Sequence, residues 1–205
     1  MTHRRPIILS GACFLFGLFA LLITLHVTWI QTWDQQIRHL VNQWRTPWLT
    51  IIMTGITRLF DPTLGALIIT LTILGAWYLT NRWQALQVAV TIFGGVILNH
   101  FVKSVFTRPR PSINILLHYS GFSFPSGHSA TAMVVFGSLI LLLYRSHYRW
   151  RKGLISLLAM LILLVGFSRL YVGAHYLSDI IAGWSLGLIV ISGIDLIFDY
   201  IKNDR

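Results

Sequence analysis

The sequence predicts an all-α protein: a bundle of six transmembrane helices with short interfacial helices beside it. Three observations predict it. The chain of 205 residues is 55% hydrophobic and only 11% charged, with a mean hydropathy of +0.70, whereas soluble domains carry roughly 25% charged residues. Its apolar residues gather in six long runs, and a helix needs about 20 such residues to cross a bilayer. The charges sit at the ends of those runs and leave the middles almost free. Lipid imposes that pattern, because an ionised side chain in hydrocarbon is costly. A net charge of +10 would also suit nucleic acid, but such a domain collects its basic residues as a patch on a polar surface. Here they flank apolar runs, so the partners are membrane lipids and no nucleic acid.

The spans are expected near 7–29, 63–80, 84–105, 128–144, 153–171 and 177–198. The first follows His3, Arg4 and Arg5, a start that a signal peptide would share. It is longer than the apolar region of a signal, and no small-residue cleavage site follows it, so it reads as an uncleaved span. Cys13 inside it, the single cysteine, is expected to be a buried small residue. The segment 31–61 differs. Asp34, Arg38, Arg45 and Arg58 stand there close to Trp29, Trp33, Trp44 and Trp48. Tryptophan favours the headgroup level, so one or two helices lying on the membrane surface are expected. Pro47 begins a helix and Asp61-Pro62 ends one. With six spans both termini share a side. That side holds nine basic residues against seven, among them Arg4, Arg5, the loop 145–152, Lys202 and Arg205. By the excess of positive charge on cytoplasmic loops, the termini are cytoplasmic and the loops 106–127 and 172–176 face outward. No long polar segment, repeat or low-complexity tract interrupts the pattern, so 1–205 reads as a single integral membrane domain. No oligomeric state is read from it.

Three polar clusters fall at the outward ends of the spans. The first runs from Lys103 to Arg108-Pro109-Arg110-Pro111. A helix ending at Lys103 and a Pro-rich turn aim Lys103 and Arg110 at one point, a point charge and a planar fork that both suit phosphate oxygens. Cations at a span end also simply snorkel, and Arg108 fits that description. The second, Pro125-Ser126-Gly127-His128, opens the fourth span. Ser126 is a candidate N-cap, Gly127 lets a ligand approach the backbone, and a helix N-terminus offers N–H groups to an anion. It also fits an ordinary helix start. The third holds Ser168-Arg169, His175 and Asp179. A spacing of four places His175 and Asp179 on one helical face, and a carboxylate on one ring nitrogen leaves the other free to attack. A structural His–Asp pair would look the same. All three clusters lie at one membrane level, whereas a transporter keeps its ionisable groups near the midplane. Together they offer cations, two imidazoles and an orienting carboxylate, the inventory of phosphoryl transfer, which works mostly by positioning and charge neutralisation.

These residues resemble the type-2 phosphatidic acid phosphatase family, also called lipid phosphate phosphatases, within a superfamily that includes the vanadium haloperoxidases. The three-part signature, K-x6-RP, PSGH and SR-x5-H-x3-D, is matched without departure over 103–179. The resemblance implies that His175 is the nucleophile and becomes a phosphohistidine, and that Asp179 orients it. His128 is then the acid for the leaving alkoxide and afterwards the base for water. Lys103, Arg110 and Arg169 form the phosphate cradle, helped by Ser126 and the Gly127 backbone. No metal and no other cofactor is implied, and the remaining histidines show no ligand spacing. The implied enzyme is a metal-independent phosphatase of lipid phosphomonoesters or diphosphates in a bacterial plasma membrane. Undecaprenyl diphosphate, phosphatidylglycerol phosphate and phosphatidic acid all fit, and an outward site favours the undecaprenyl carrier slightly over phosphatidylglycerol phosphate. Phe122 and Phe124 suit either lipid chains or loop packing. The rivals are a vanadate-dependent haloperoxidase-like enzyme, which six apolar spans oppose, and a non-catalytic lipid or anion transporter, which the two histidines oppose.

Overall fold

The computed structural model describes residues 4–204; His3, Arg205 and the Arg4 side chain lie outside them. Eight helices follow in order: α1 Arg4–Thr24, α2 Thr28–Gln43, α3 Pro47–Arg58, α4 Pro62–Leu79, α5 Arg82–Val105, α6 Gly127–Arg145, α7 Arg151–Tyr171 and α8 Leu177–Asn203. Helices α1 and α4 to α8 are long and apolar enough to cross a membrane, which gives the six expected spans. The first is shorter than expected. It stops at Thr24, the chain turns through His26 with φ 50°, and α2 begins at Thr28. The apolar run continues through the turn, so hydropathy alone overshoots it.

The segment expected at the surface forms two helices, α2 and α3. Trp29, Trp44 and Trp48 are more than half exposed, as interfacial anchors are. One stripe of α2 is buried: Ile30, Asp34, Arg38 and Val41. Asp61-Pro62 does not end α3, which closes at Arg58; Asp61 is the N-cap of α4 and Pro62 its first residue. Proline fits there because that N–H has no intrahelical partner.

α8 lies at the centre, with α1, α5 and α6 against it. In lipid the drive to pack helices is close van der Waals contact, so small residues mark the interfaces. Gly183 and Gly187, one turn apart on α8, meet α6. A Cβ on Gly183 would stand 2.6 Å from the Ser126 carbonyl, and one on Gly187 2.6 Å from Met133. The outer helices are bare toward lipid, with only 11% of the α4 spanning window buried. Cys13 is exposed on α1, contrary to expectation, because that helix turns most of its surface outward.

Polar contacts sort the connections onto two faces. On one, Asp195 of α8 accepts from Gln87 of α5 at 2.7 Å and from Arg145 of α6 at 2.5 Å, and pairs with Arg5 of α1 at 3.2 Å. On the other, α2, α3, the loop 106–126 and the turn 172–176 interlock. Leu116 N donates to Val172 O at 2.9 Å, Arg38 to Ile113 O at 2.6 Å and Arg45 to Tyr171 O at 2.5 Å. All three sequence clusters lie on this second face.

Candidate active site

His175 stands in the turn between α7 and α8. Gly173, with φ 77°, makes that turn, and a Cβ there would meet Asn114 O at 2.6 Å. His175 precedes the first residue of α8, so a shared helical face does not explain its pairing with Asp179, as the spacing suggested. Asp179 is the third residue of α8 and folds back to accept from Tyr176 N at 3.0 Å, closing a capping box. That fold-back brings its Oδ2 within 3.4 Å of His175 Nδ1. Its Oδ1 accepts from Arg108 at 2.6 Å. His175 Nδ1 has no hydrogen-bond partner among the described residues, so the Asp179 contact is electrostatic at this distance.

Arg110 stands at the other ring nitrogen, and Lys103 and Arg169 are near enough for their charges to act on the imidazole. Arg110 Nη1 lies 3.0 Å from His175 Nε2 and donates to Ala174 O at 2.9 Å; its Nε donates to Gly121 O at 3.0 Å. Lys103 Nζ donates to Phe122 O and Pro125 O at 2.8 and 2.9 Å. Arg169 is fully buried. Its Nη1 donates to Thr57 Oγ1 at 2.6 Å, its guanidinium lies 3.9 Å from the Tyr119 ring centroid, and its Nε has no partner among the described residues. A buried cation with a free donor is prepared for an anion.

Electrostatics keeps His175 unprotonated. Burial pushes its imidazole well below the ordinary histidine range, and the charges of Arg169, Arg110 and Lys103 push the same way. A neutral imidazole keeps a lone pair for attack. Arg110 itself is lowered to about 10, by burial first and then by Arg169, and so remains a cation at neutral pH.

Ser126 is the N-cap of α6, fully buried, with Oγ accepting from Ser129 Oγ at 2.9 Å. Gly127, the first residue of α6, comes next; a Cβ there would meet Asn99 Oδ1 at 3.3 Å. His128 Nε2 lies 3.1 Å from Asp61 Oδ1, which also accepts from Tyr119 at 3.1 Å. Phe124 is fully buried against Phe16 and Phe106, so it packs the loop, while Phe122 is 40% exposed.

Several residues at this site escaped sequence reading. Arg108 does not snorkel: besides Asp179 it pairs with Asp34 of α2 at 2.8 Å. Asp34 carried a signal, since it shares the buried stripe of α2 with Ile30 and Val41. Asn99, one helical turn before Lys103, is buried with Nδ2 unpartnered among the described residues. Asp61, Thr57 and Tyr119 come from distant segments and gave no local signal. Among the described residues no three histidine, cysteine or acidic side chains gather as a metal site would require.

Known proteins are similar to this chain in sequence and in fold. The pattern defining the PAP2 superfamily matches residues 84–202. The chain is 33% identical over 181 residues to phosphatidylglycerophosphatase B of Bacillus subtilis (strain 168), covering 86% of this chain and 88% of that one. It is 28% identical over 128 residues to the undecaprenyl-diphosphatase BcrC of the same strain, covering 58% and 62%. A crystal structure of a transmembrane PAP2-type phosphatidylglycerolphosphate phosphatase from Bacillus subtilis superposes with a TM-score of 0.82 at 30% identity, over 95% of this chain and 98% of that one. With more than half its length matched by the family pattern and nearly all of it by a relative and a solved fold, the chain belongs to the PAP2 superfamily.

Proposed function

We propose that the chain is a multi-pass membrane lipid phosphatase that cleaves a lipid phosphate through a phosphohistidine on His175. The observation that carries this reading is His175 itself: buried, with Asp179 behind Nδ1 and Arg110 at Nε2. An incoming phosphate takes the place of Arg110 beside Nε2, and the guanidinium turns to the phosphate oxygens. Lys103 and Arg169 neutralise the other oxygens, which is where charge stabilisation acts in phosphoryl transfer. In this reading the Gly127 N–H, free of an intrahelical partner at the start of α6, adds a donor to the same anion.

In the first step the Nε2 lone pair forms a bond to phosphorus while the P–O bond to the lipid breaks in line. His128 gives a proton to the departing oxygen. In the second step His128 takes a proton from water, the water oxygen bonds to phosphorus, and the P–N bond breaks. Inorganic phosphate leaves and His175 is neutral again. Asp179 stabilises the imidazolium in between, and Asp61 holds the His128 ring.

The site lies at the end of the bundle where α2 and α3 lie; this reading sets that end at the level of lipid headgroups, from which an amphiphile would enter laterally. The excess of basic residues on the opposite face supports a cytoplasmic position for the termini and an outward site. Similarity to phosphatidylglycerophosphatase B supports phosphatidylglycerophosphate as the first substrate to try, ahead of undecaprenyl diphosphate and phosphatidic acid. The whole of 1–205 serves as one domain in this reading. The test is phosphate release by purified protein in detergent from those three lipids, with His175→Ala beside it. Release from at least one lipid, abolished in His175→Ala, is expected; undiminished release by that variant rejects the assignment.

A further inference from the structure

α2 lies along the outside of the bundle, yet it sends a carboxylate into the interior. Asp34 is fully buried, and an ionised group there needs partners on both oxygens. Oδ1 accepts from Ser178 N at 3.0 Å. Oδ2 accepts from Ser178 Oγ at 2.5 Å and from Arg108 Nη2 at 2.8 Å. Arg108 then reaches onward: Nη1 donates to Ser178 Oγ at 2.7 Å and to Asp179 Oδ1 at 2.6 Å. The far oxygen of Asp179 is the one facing His175 Nδ1. Tyr176 lies 4.2 Å under the Arg108 guanidinium and fixes its plane.

We propose that Asp34 is a positioning residue for the His175 nucleophile, acting through Arg108 on Asp179. The inference rests on the role given to His175 above. Arg108 is a single cation held between two carboxylates, and its planar fork fits both at once. That division sets how strongly it draws on Asp179. With Asp34 present, the two η nitrogens are anchored on opposite sides, and Asp179 stays within reach of His175. Without Asp34 the whole charge of Arg108 falls on Asp179. The carboxylate then leans toward the guanidinium and away from the imidazole, and its negative charge is less available when His175 becomes an imidazolium. Binding of phosphate involves neither group, so the loss belongs to the chemical step.

Asp34 also anchors the start of α8 through Ser178, and this structural contact must be separated from the catalytic one. Asp34→Asn keeps an oxygen for Ser178 N and removes the charge that holds Arg108. Misplacement of reacting groups by an ångström costs about 100-fold, and loss of an orienting second contact roughly 10- to 100-fold. The experiment measures phosphate release from dioctanoyl phosphatidylglycerophosphate and from p-nitrophenyl phosphate in detergent for wild type, Asp34→Asn, Arg108→Gln and the double variant. Gel filtration and thermal unfolding accompany each.

The expected result is a kcat for Asp34→Asn lowered roughly 10- to 100-fold with KM within about twofold, on both substrates, because attack rather than leaving-group protonation is impaired. The double variant should be no slower than Arg108→Gln alone, since both changes act through one chain of contacts. A folded Asp34→Asn with wild-type kcat overturns the inference. So do effects of Asp34→Asn and Arg108→Gln that multiply, or a loss confined to KM. If Asp34→Asn does not fold, Arg108→Lys decides: an ammonium has no planar fork to hold the two carboxylates at fixed separation, so kcat should fall with KM kept, and an unchanged kcat overturns the inference. A wild type without His175-dependent turnover overturns the function and the inference together, whereas the other outcomes leave the function standing.

Discussion

Gly183→Ala tests how closely α6 and α8 must meet for catalysis. The added Cβ would stand 2.6 Å from the Ser126 carbonyl, 3.1 Å from Ser129 Cβ and 3.3 Å from Ala130 N. Two of these atoms are backbone of the segment that carries His128, so no side-chain rotation relieves the clash. Ordinary contact begins near 3.4 Å, so the start of α6 must retreat by about 0.8 Å, since packed interiors do not absorb such overlap in place. Asp179 O also receives a hydrogen bond from Ser126 N at 2.9 Å, a contact that the retreat strains. His128 and Gly127 would move with α6 while His175 stays with the turn before α8. Displacement on this scale should lower kcat roughly 10- to 100-fold, and overpacking should cost about 1–3 kcal/mol of stability. The assay is initial-rate phosphate release with thermal unfolding, and Gly193→Ala is the control, since a Cβ there meets nothing within 4 Å. Wild-type kcat in a folded Gly183→Ala would refute the reasoning that α6 packing against α8 sets the distance between the two histidines.

Other perturbations reach the same site by different routes. Arg169→Ala should lower kcat/KM by about 10²- to 10³-fold, as for a lost transition-state donor. Arg169→Lys should recover little, because an ammonium replaces the fork that holds Thr57 and stacks on Tyr119; steady-state kinetics checks both. Asp61→Asn should slow lipid phosphate hydrolysis roughly 10-fold or more, and p-nitrophenyl phosphate no more than that, since its leaving group needs no proton and only the water step still calls on His128. A wild-type rate on the lipid would remove Asp61 from the His128 step. The depressed His175 predicts a pH effect on stability. Below about pH 6.5 the unfolded chain takes up a proton that the folded site refuses, so stability falls as pH falls, by up to about 1.4 kcal/mol per unit. His175→Gln should unfold with a smaller loss of Tm between pH 7.5 and 5 than wild type, and an identical pH slope would contradict the buried neutral imidazole.

The spans and signature clusters were legible because each is written in contiguous residues: an apolar run, or a motif at a span end. What was not legible depends on tertiary encounters. Arg108 is indistinguishable from a snorkelling cation until α2 brings Asp34 beneath it. Asp61 reads as a helix boundary, which it is, and only the approach of α6 gives it His128. The His175–Asp179 spacing pointed to the right pair for the wrong reason, since a capping fold-back rather than a helical face joins them. Asp34 could have been found, because a charged residue on the apolar stripe of an amphipathic helix contradicts the pattern around it and so calls for a buried partner.

The distribution of carboxylates separates scaffold cations from those that the proposed function gives to the ligand. The chain has six acidic residues, all aspartate, of which Asp204 is exposed at the end of α8. Asp195 and Asp199 hold Arg5 and Arg145 on the face away from the site. Asp34 and Asp179 are both given to Arg108, and Asp61 to His128. Among the described residues, Lys103, Arg110 and Arg169 therefore end on neutral oxygens of carbonyls or a hydroxyl. A neutral acceptor orients a cation without cancelling its charge, whereas a carboxylate cancels it. Arg38 and Arg45 also end on carbonyls, but neither is among the charges that act most strongly on His175. Neutral partners together with influence on His175 thus single out the three cations that the proposed function assigns to the phosphate. The same criterion sets Arg108 apart, since two carboxylates offset its charge.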